Sequence, residues 1–261
     1  MPRVKVDKAE IYYEMHGEGP TVAMAHGGSG NTLAWFQQLP AFTKRYRVLL
    51  FDQRGWHRSP CAPDDVHPKY FADDLLAVLD REKIPKVAIC GHQVGGWTAL
   101  ATAMQAPDRV HAIAMSASAG GVVPTGIMNA FARGPGKTVG TPAIRPSSVA
   151  PAFGKHHPER MVLFDQLARL NQDLFKPMQL LLHPDVIVKT ERLKGYRTPT
   201  LVLAGQESQI IPPAALQEAT AMIPGAEFKV MPGVGHSPPW EAPEAYSRHV
   251  LEFFARHVPA N

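Results

Sequence analysis

Cysteine is scarce in this chain of 261 residues. There are two, Cys61 and Cys90, too few for a disulfide framework, so a reducing cytoplasm is the expected setting. Charge is also thin, at 19% of residues, and no run of Lys or Arg gathers the formal balance of +4 into a patch. Nucleic acid is therefore not an expected partner. No apolar run is long enough to cross a bilayer, so no membrane association is expected. The opening MPRVKVDKAE is charged and lacks the apolar stretch of a secretory signal. Internal repeats and low-complexity tracts are absent too.

What is present is an ordinary globular composition, 45% apolar, in a length that suits one large α/β domain or two small ones. Short, continuous apolar runs recur at 21–26, 47–52, 86–91, 109–118, 198–205 and 226–233. Runs of this kind suit strands buried on both faces. The start, VKVDKAEIYYEMHGEGP, alternates and is expected to form an antiparallel edge pair turning at Gly17 to Pro20. Helical patterns lie between the runs. Residues 69–83 set Phe71, Leu75, Leu76 and Leu79 on one stripe, 94–105 are nearly all small or apolar, and 240–257 are amphipathic. The alternation predicts an α/β fold with a mostly parallel, doubly wound sheet of about eight strands.

One stretch breaks the rhythm. Between Gly120 and Tyr196 no strand–helix unit appears, and 132–158 is rich in Pro, Gly, Ser and basic residues. A bare loop of that length is foreign to a compact domain. The expected organisation is a core of 1–120 and 197–261 with an inserted helical cap at 121–196. The clearest cap helix is expected at 158–175. Apolar cap residues such as Met128, Phe131, Phe153, Leu163, Phe164, Leu167 and Leu170 are expected to divide between a small core and a pocket wall.

Five segments in order carry a family pattern: HGGSG at 26–30, FDQRGWHRS at 51–59, GHQVGG at 91–96, LVLAGQESQIIPP at 201–213 and VMPGVGHSPPWEAPE at 230–244. Together they resemble the α/β-hydrolase superfamily, near small bacterial esterases, enol-lactonases, C–C-bond hydrolases and epoxide hydrolases. The resemblance implies a nucleophile on a strained strand-to-helix elbow, an acid after a late strand and a His after the last one. It also implies an oxyanion hole of two backbone N–H groups.

Carried over by position, the resemblance gives an altered triad. Gln93 stands at the nucleophile position, Ser208 where the acid belongs, and His236 at the family His. Gly28 and Val94 match the oxyanion donors. Glu207, beside Ser208, is expected to point away. Ser29, Trp35 and His57 are candidates for touching substrate, whereas His92, Trp97, Asp52 and Arg54 read as structural and Cys90 as a buried, inert thiol. No metal set is expected, since His26, His57 and His236 match no ligand spacing. No cofactor is expected either.

A carboxamide is neither basic nor nucleophilic, so Gln93 disfavours a covalent ester intermediate. Its acceptor and two donors suit it to positioning. Three uses fit. In the first, which leads, His236 removes a substrate proton and the oxyanion hole holds the enolate or alkoxide, which is lyase, isomerase or cyclase chemistry. In the second, His236 activates water against an ester, lactone or β-diketone. In the third, the pocket only binds a ligand. The expected substrate is a small, apolar carbonyl compound, and a homodimer is the default assembly.

Overall fold

The computed structural model describes residues 2–133, 148–171 and 180–259. Eight strands form one sheet: β1 (Arg3–Val6), β2 (Ala9–His16), β3 (Thr21–Ala25), β4 (Arg47–Phe51), β5 (Val87–His92), β6 (Val110–Ser116), β7 (Thr200–Gly205) and β8 (Glu227–Met231). Their order is β1-β2-β4-β3-β5-β6-β7-β8. The joins β1–β2 and β2–β4 are antiparallel, and the rest are parallel. The expected mostly parallel α/β sheet is what forms.

The edge hairpin departs from expectation. Its turn is at Asp7 and Lys8, with Val6 paired to Ala9 and Asp7 in the left-handed region at φ 46°. A two-residue hairpin loop needs positive φ, which Asp tolerates better than most residues. Gly17 to Pro20 instead leads from β2 to β3, across the position that β4 fills in the sheet.

Period-2 alternation divides the buried strands between two cores. Ala23, Ala25, Ile89, Ile113, Met115 and Val202 face one side. There they meet α1 (Phe71–Arg81) and α2 (Gly95–Gln105). Val22, Met24, Val48, Leu50, Cys90 and Leu203 face the other. That side is covered by α6 (Pro243–His257) through Tyr246, Val250, Phe253 and Phe254. Helix α1 buries Phe71, Leu75, Val78 and Leu79, a helical stripe, with Asp73 and Asp74 in its first turn and Arg81 in its last, as the helix dipole favours. The terminal helix is shorter than its pattern. Pro243 ends the turn Pro238–Glu241 and begins α6, leaving Ala242 non-helical at φ −134°, because a residue before proline is pushed out of the helical region.

The interval between β6 and β7, where a cap was expected, contains α3 (Thr125–Arg133), a turn at Phe153–His156 and α4 (Pro158–Arg169). Helix α4 stops short of the expected 175. The side chain of Phe131 lies outside the described residues. Helix α5 (Pro213–Ala221) then links β7 to β8.

The loop after β4 is anchored by a buried ion pair. Arg54 Nε and Nη2 donate to Asp74 Oδ2 and Oδ1 of α1 at 2.9 and 2.6 Å, with both side chains 1% exposed. Two-point geometry makes this a strong pair, but one whose half is costly alone. Asp74→Ala strands the Arg54 charge, and urea unfolding should show a loss of about 3–5 kcal/mol. A loss below about 1 kcal/mol, the range of exposed pairs, would show that the loop does not depend on it.

Candidate active site

The site forms where the parallel strands end. Backbone crowding explains the elbow between β5 and α2. A Cβ on Gly95 would collide with the Ala25 carbonyl oxygen of β3, and one on Gly91 would press against Gly95 itself. Helix α2 therefore starts almost on the sheet, and the chain reverses in very few residues. Gln93 absorbs the reversal at φ 47°, a strain of about 1–3 kcal/mol for a residue with a side chain. Its N–H donates to Ser116 O at the end of β6, 2.9 Å away, which fixes where the side chain emerges.

That side chain fills a place expected for substrate. Gly28 N–H donates to Gln93 Oε1 at 2.7 Å. An N–H only donates, so the atom facing it is the amide oxygen. The correction to the expected oxyanion hole is direct: the Gly28 donor is in position, but the protein's own carbonyl oxygen occupies it. Val94 is fully buried behind the elbow at the start of α2, where first-turn N–H groups have no acceptor within the helix.

The Gly28 loop is braced from below. His26 Nε2 accepts from Gln53 N–H at 3.0 Å, and Gln53 Nε2 donates to His26 O at 2.9 Å. This leaves Nδ1 of His26 as the donor to Gly27 O at 2.8 Å, so its tautomer is set and the ring is structural. Burial holds its pKa down. Thr98 of α2 donates to Gln53 Oε1, and Trp56 Nε1 donates to Gly28 O at 2.9 Å. Asp52 accepts from Thr32 N–H and Arg58 N–H; its carboxylate is spent on loop geometry, as its structural reading requires.

His236 follows β8 and is 2% exposed. Its Nδ1 lies 3.0 Å from Ser208 Oγ, and its Nε2 is buried without a partner among the described residues. Glu207 is exposed, so it does not replace the absent acid. Burial pushes His236 down to about 3, with nearby His92 adding repulsion, and among the described residues no carboxylate opposes the shift. Ser208 also leaves the tautomer undecided. A carboxylate only accepts, which fixes the proton on Nδ1 and the lone pair on Nε2. A hydroxyl accepts or donates, so both tautomers are allowed.

Sequence reasoning missed Glu241. Its buried carboxylate accepts from Ala150 N–H at 2.7 Å, Gly235 N–H at 2.9 Å and Ser237 N–H at 2.9 Å. It thus clamps both neighbours of His236 and ties them to the interval between β6 and β7. Its pKa is raised, burial outweighing the three N–H donors. The available signal was an acid soon after His236 in a Pro- and Trp-rich run.

These residues surround an open cavity, with about 500 Å³ of empty space when the solvent at its mouth is included. Gln93, His236, His92, Ser29, Ser148 and Ser237 supply polar groups, and Trp35, Phe164, Trp240, Ala34 and Pro239 supply apolar ones. The lining holds no charged side chain among the described residues. Phe164 of α4 stacks on Trp240 with ring centroids 4.8 Å apart. Asn31 Nδ2 donates to Leu167 O at 3.1 Å, so α4 is tied to the Gly28 loop.

Trp35 and Ser29 are in the cavity wall, and the expectation for His57 is corrected. His57 does not line the cavity: it sits at φ 35° in the turn beyond Trp56. Ser208 is not in the wall and reaches the cavity only through His236. His92, read as structural, does line it, with its ring centroid 6.4 Å from that of His236; burial lowers its pKa to about 4. Met128, Leu163 and Leu170 are 44%, 41% and 46% exposed, so they form neither core nor pocket wall.

The profile of the family described as alpha/beta hydrolase fold matches residues 20–243. The chain belongs to this family. A 2-hydroxy-6-oxononadienedioate/2-hydroxy-6-oxononatrienedioate hydrolase of Paraburkholderia xenovorans (strain LB400) is 27% identical, covering 95% of this chain and 91% of its own. A thermophilic esterase from Thermogutta terrifontis superimposes with a TM-score of 0.82 at 25% identity, covering 98% of this chain and 99% of its own. An N-acyl homoserine lactone degrading enzyme does so at 0.80 and 26%, covering 97% of this chain and all, 100%, of its own.

Acid should expose the buried histidine. Unfolded, His236 titrates near 6.5; folded, near 3. Between those values the unfolded state binds more protons, so this stability is complete above 6.5 and lost as pH falls toward 3. One such group gives a slope of about 1.4 kcal/mol per pH unit. Urea midpoints from neutral pH downward should fall less steeply for His236→Gln than for the native chain. Equal slopes would exclude His236 as a source of the acid sensitivity.

Proposed function

We propose that this protein hydrolyses a small, uncharged carbonyl compound, an ester, lactone or β-diketone, by direct attack of water without a covalent intermediate. The observation that carries this reading is that one cavity is lined both by a buried His236 whose Nε2 has no partner among the described residues and by a Gln93 whose oxygen is held by Gly28 N–H. A carboxamide at the elbow cannot be acylated as Ser is, so the attacking oxygen has to come from water. Relatives named as a hydrolase, an esterase and a lactone-degrading enzyme support hydrolysis over the proton-abstraction chemistry expected first.

The roles follow from the groups present. His236 in its Nδ1–H tautomer takes a proton from water as the oxygen adds to the carbonyl carbon. With its oxygen held by Gly28, Gln93 offers its amide N–H to the developing oxyanion. Collapse of the adduct expels the leaving group, which recovers the proton from His236. Ser208 is a positioning residue whose Oγ is able to accept from Nδ1–H and so hold the ring in this tautomer. An imidazole held near 3 is a weak base, so turnover should be slow, but the base stays neutral well into acid.

The test is a panel of uncharged esters, lactones and β-diketones. His236→Ala should lower kcat/KM by roughly 10²–10⁴, the usual worth of a general base. Mass spectrometry during turnover should find no acyl adduct on the native chain; an adduct on Ser29 or any other side chain would overturn direct water attack. Ser208→Asp should raise kcat and move the acid limb of the pH–rate profile up from about 3 toward neutral, because a carboxylate stabilises imidazolium. An unmoved limb would remove His236 as the base.

A further inference from the structure

A second cluster of chemically active side chains lies away from the cavity. His67, His183 and Asp185 each place one ligand atom within 4.8 Å of the others. They come from distant parts of the chain. His67 caps the turn that leads into α1, while His183 and Asp185 belong to the interval between β6 and β7. The two imidazole rings meet edge to face with centroids 5.5 Å apart, and His183 Nδ1 lies 3.4 Å from Asp185 Oδ2.

We propose that His67, His183 and Asp185 bind a divalent late-transition-metal ion, of the Zn2+ type, that clamps the interval between β6 and β7 onto the loop before α1. The donor set argues the class. Two imidazoles and one carboxylate suit zinc and its neighbours, whereas Mg2+ and Ca2+ prefer all-oxygen shells. Ligand atoms around tetrahedral zinc stand about 3.3 Å apart, given bonds of about 2.0 Å. Small rotations of three side chains close the present spread, and His183 and Asp185 are exposed enough to make them. The contacts displaced are weak. Nδ1 of His67 accepts from Lys69 N–H at 3.1 Å and Nδ1 of His183 from Asp185 N–H at 3.3 Å. Both donors are at the exposed surface, where water replaces the ring. Water completes the coordination shell, as in sites with three protein ligands.

The placement suggests what the clamp holds. Beside the cluster, Val66, Leu181 and Val186 pack with Trp56, Trp97 and Val94 in one apolar group. Trp56 donates to Gly28 O, and Val94 follows Gln93. A metal that joins His67 to His183 therefore braces the packing behind the elbow without entering the cavity. This placement is independent of the proposed hydrolysis and stands if that reading fails.

The test is calorimetric titration of tag-free protein with ZnCl2, with CoCl2 in parallel for its visible spectrum. The expected result is one ion per chain, a rise in Tm and cobalt absorption typical of nitrogen and oxygen ligands. His183→Ala should weaken binding by roughly tenfold or more, and Asp185→Asn by a smaller factor. Both side chains are exposed, so these variants keep the fold, and circular dichroism verifies it; they decide the matter even if His67→Ala proves unstable. No saturable 1:1 binding, or the same affinity in the His183→Ala and Asp185→Asn variants as in the native chain, would overturn the site and leave only scattered binding to surface histidines.

Discussion

The close approach of α2 to the strand β3 governs the site. Gly95 packs directly on the Ala25 carbonyl, and the short reversal it permits puts Gln93 in the left-handed region. From there its side chain reaches the loop after β3. The contact it makes is the bond between Gly28 N–H and Gln93 Oε1. The bracing of the same loop by His26, Gln53 and Trp56 keeps the donor at the depth the amide reaches. Without the small residues at 91 and 95 the helix would ride higher, and neither the strain nor the bond would form.

Electrostatically, the site is defined by an absent charge. Ser208 is the one side chain among the described residues that hydrogen-bonds His236, no carboxylate among them stabilises its protonated form, and burial keeps it neutral. The buried carboxylate of Glu241 does different work: it accepts three backbone N–H groups and fixes the chain on either side of His236. Geometry and charge are thus assigned to separate residues. The cavity holds an oriented imidazole and an oriented amide in an uncharged setting, where polar contacts are stronger than in water and unpaired ones cost more.

Strands were legible in the sequence because burial on both faces leaves continuous apolar runs, and β3 through β7 lie where those runs are. The elbow and His236 were legible because glycine spacing and segment order survive changes of side chain. The hairpin turn at Asp7 was not, since Gly17 to Pro20 is the stronger turn signal and nothing local says that β4 will come between β2 and β3. Nor was the role of His92 or Glu241. Both depend on which backbone groups lie opposite them after folding. His67 and His183 are too far apart in the chain for any spacing rule to join them.

By itself the sequence determined the family, the strand–helix order and the chemical limit that an amide at position 93 imposes. Local pattern and side-chain chemistry suffice for those. Tertiary structure decided where the amide oxygen points, that Glu241 rather than Glu207 is engaged beside His236, that His57 stays outside the cavity, and that three ligand atoms gather at the edge of the interval between β6 and β7. Those facts depend on distances between segments, and distances are set only when the helices pack on the sheet.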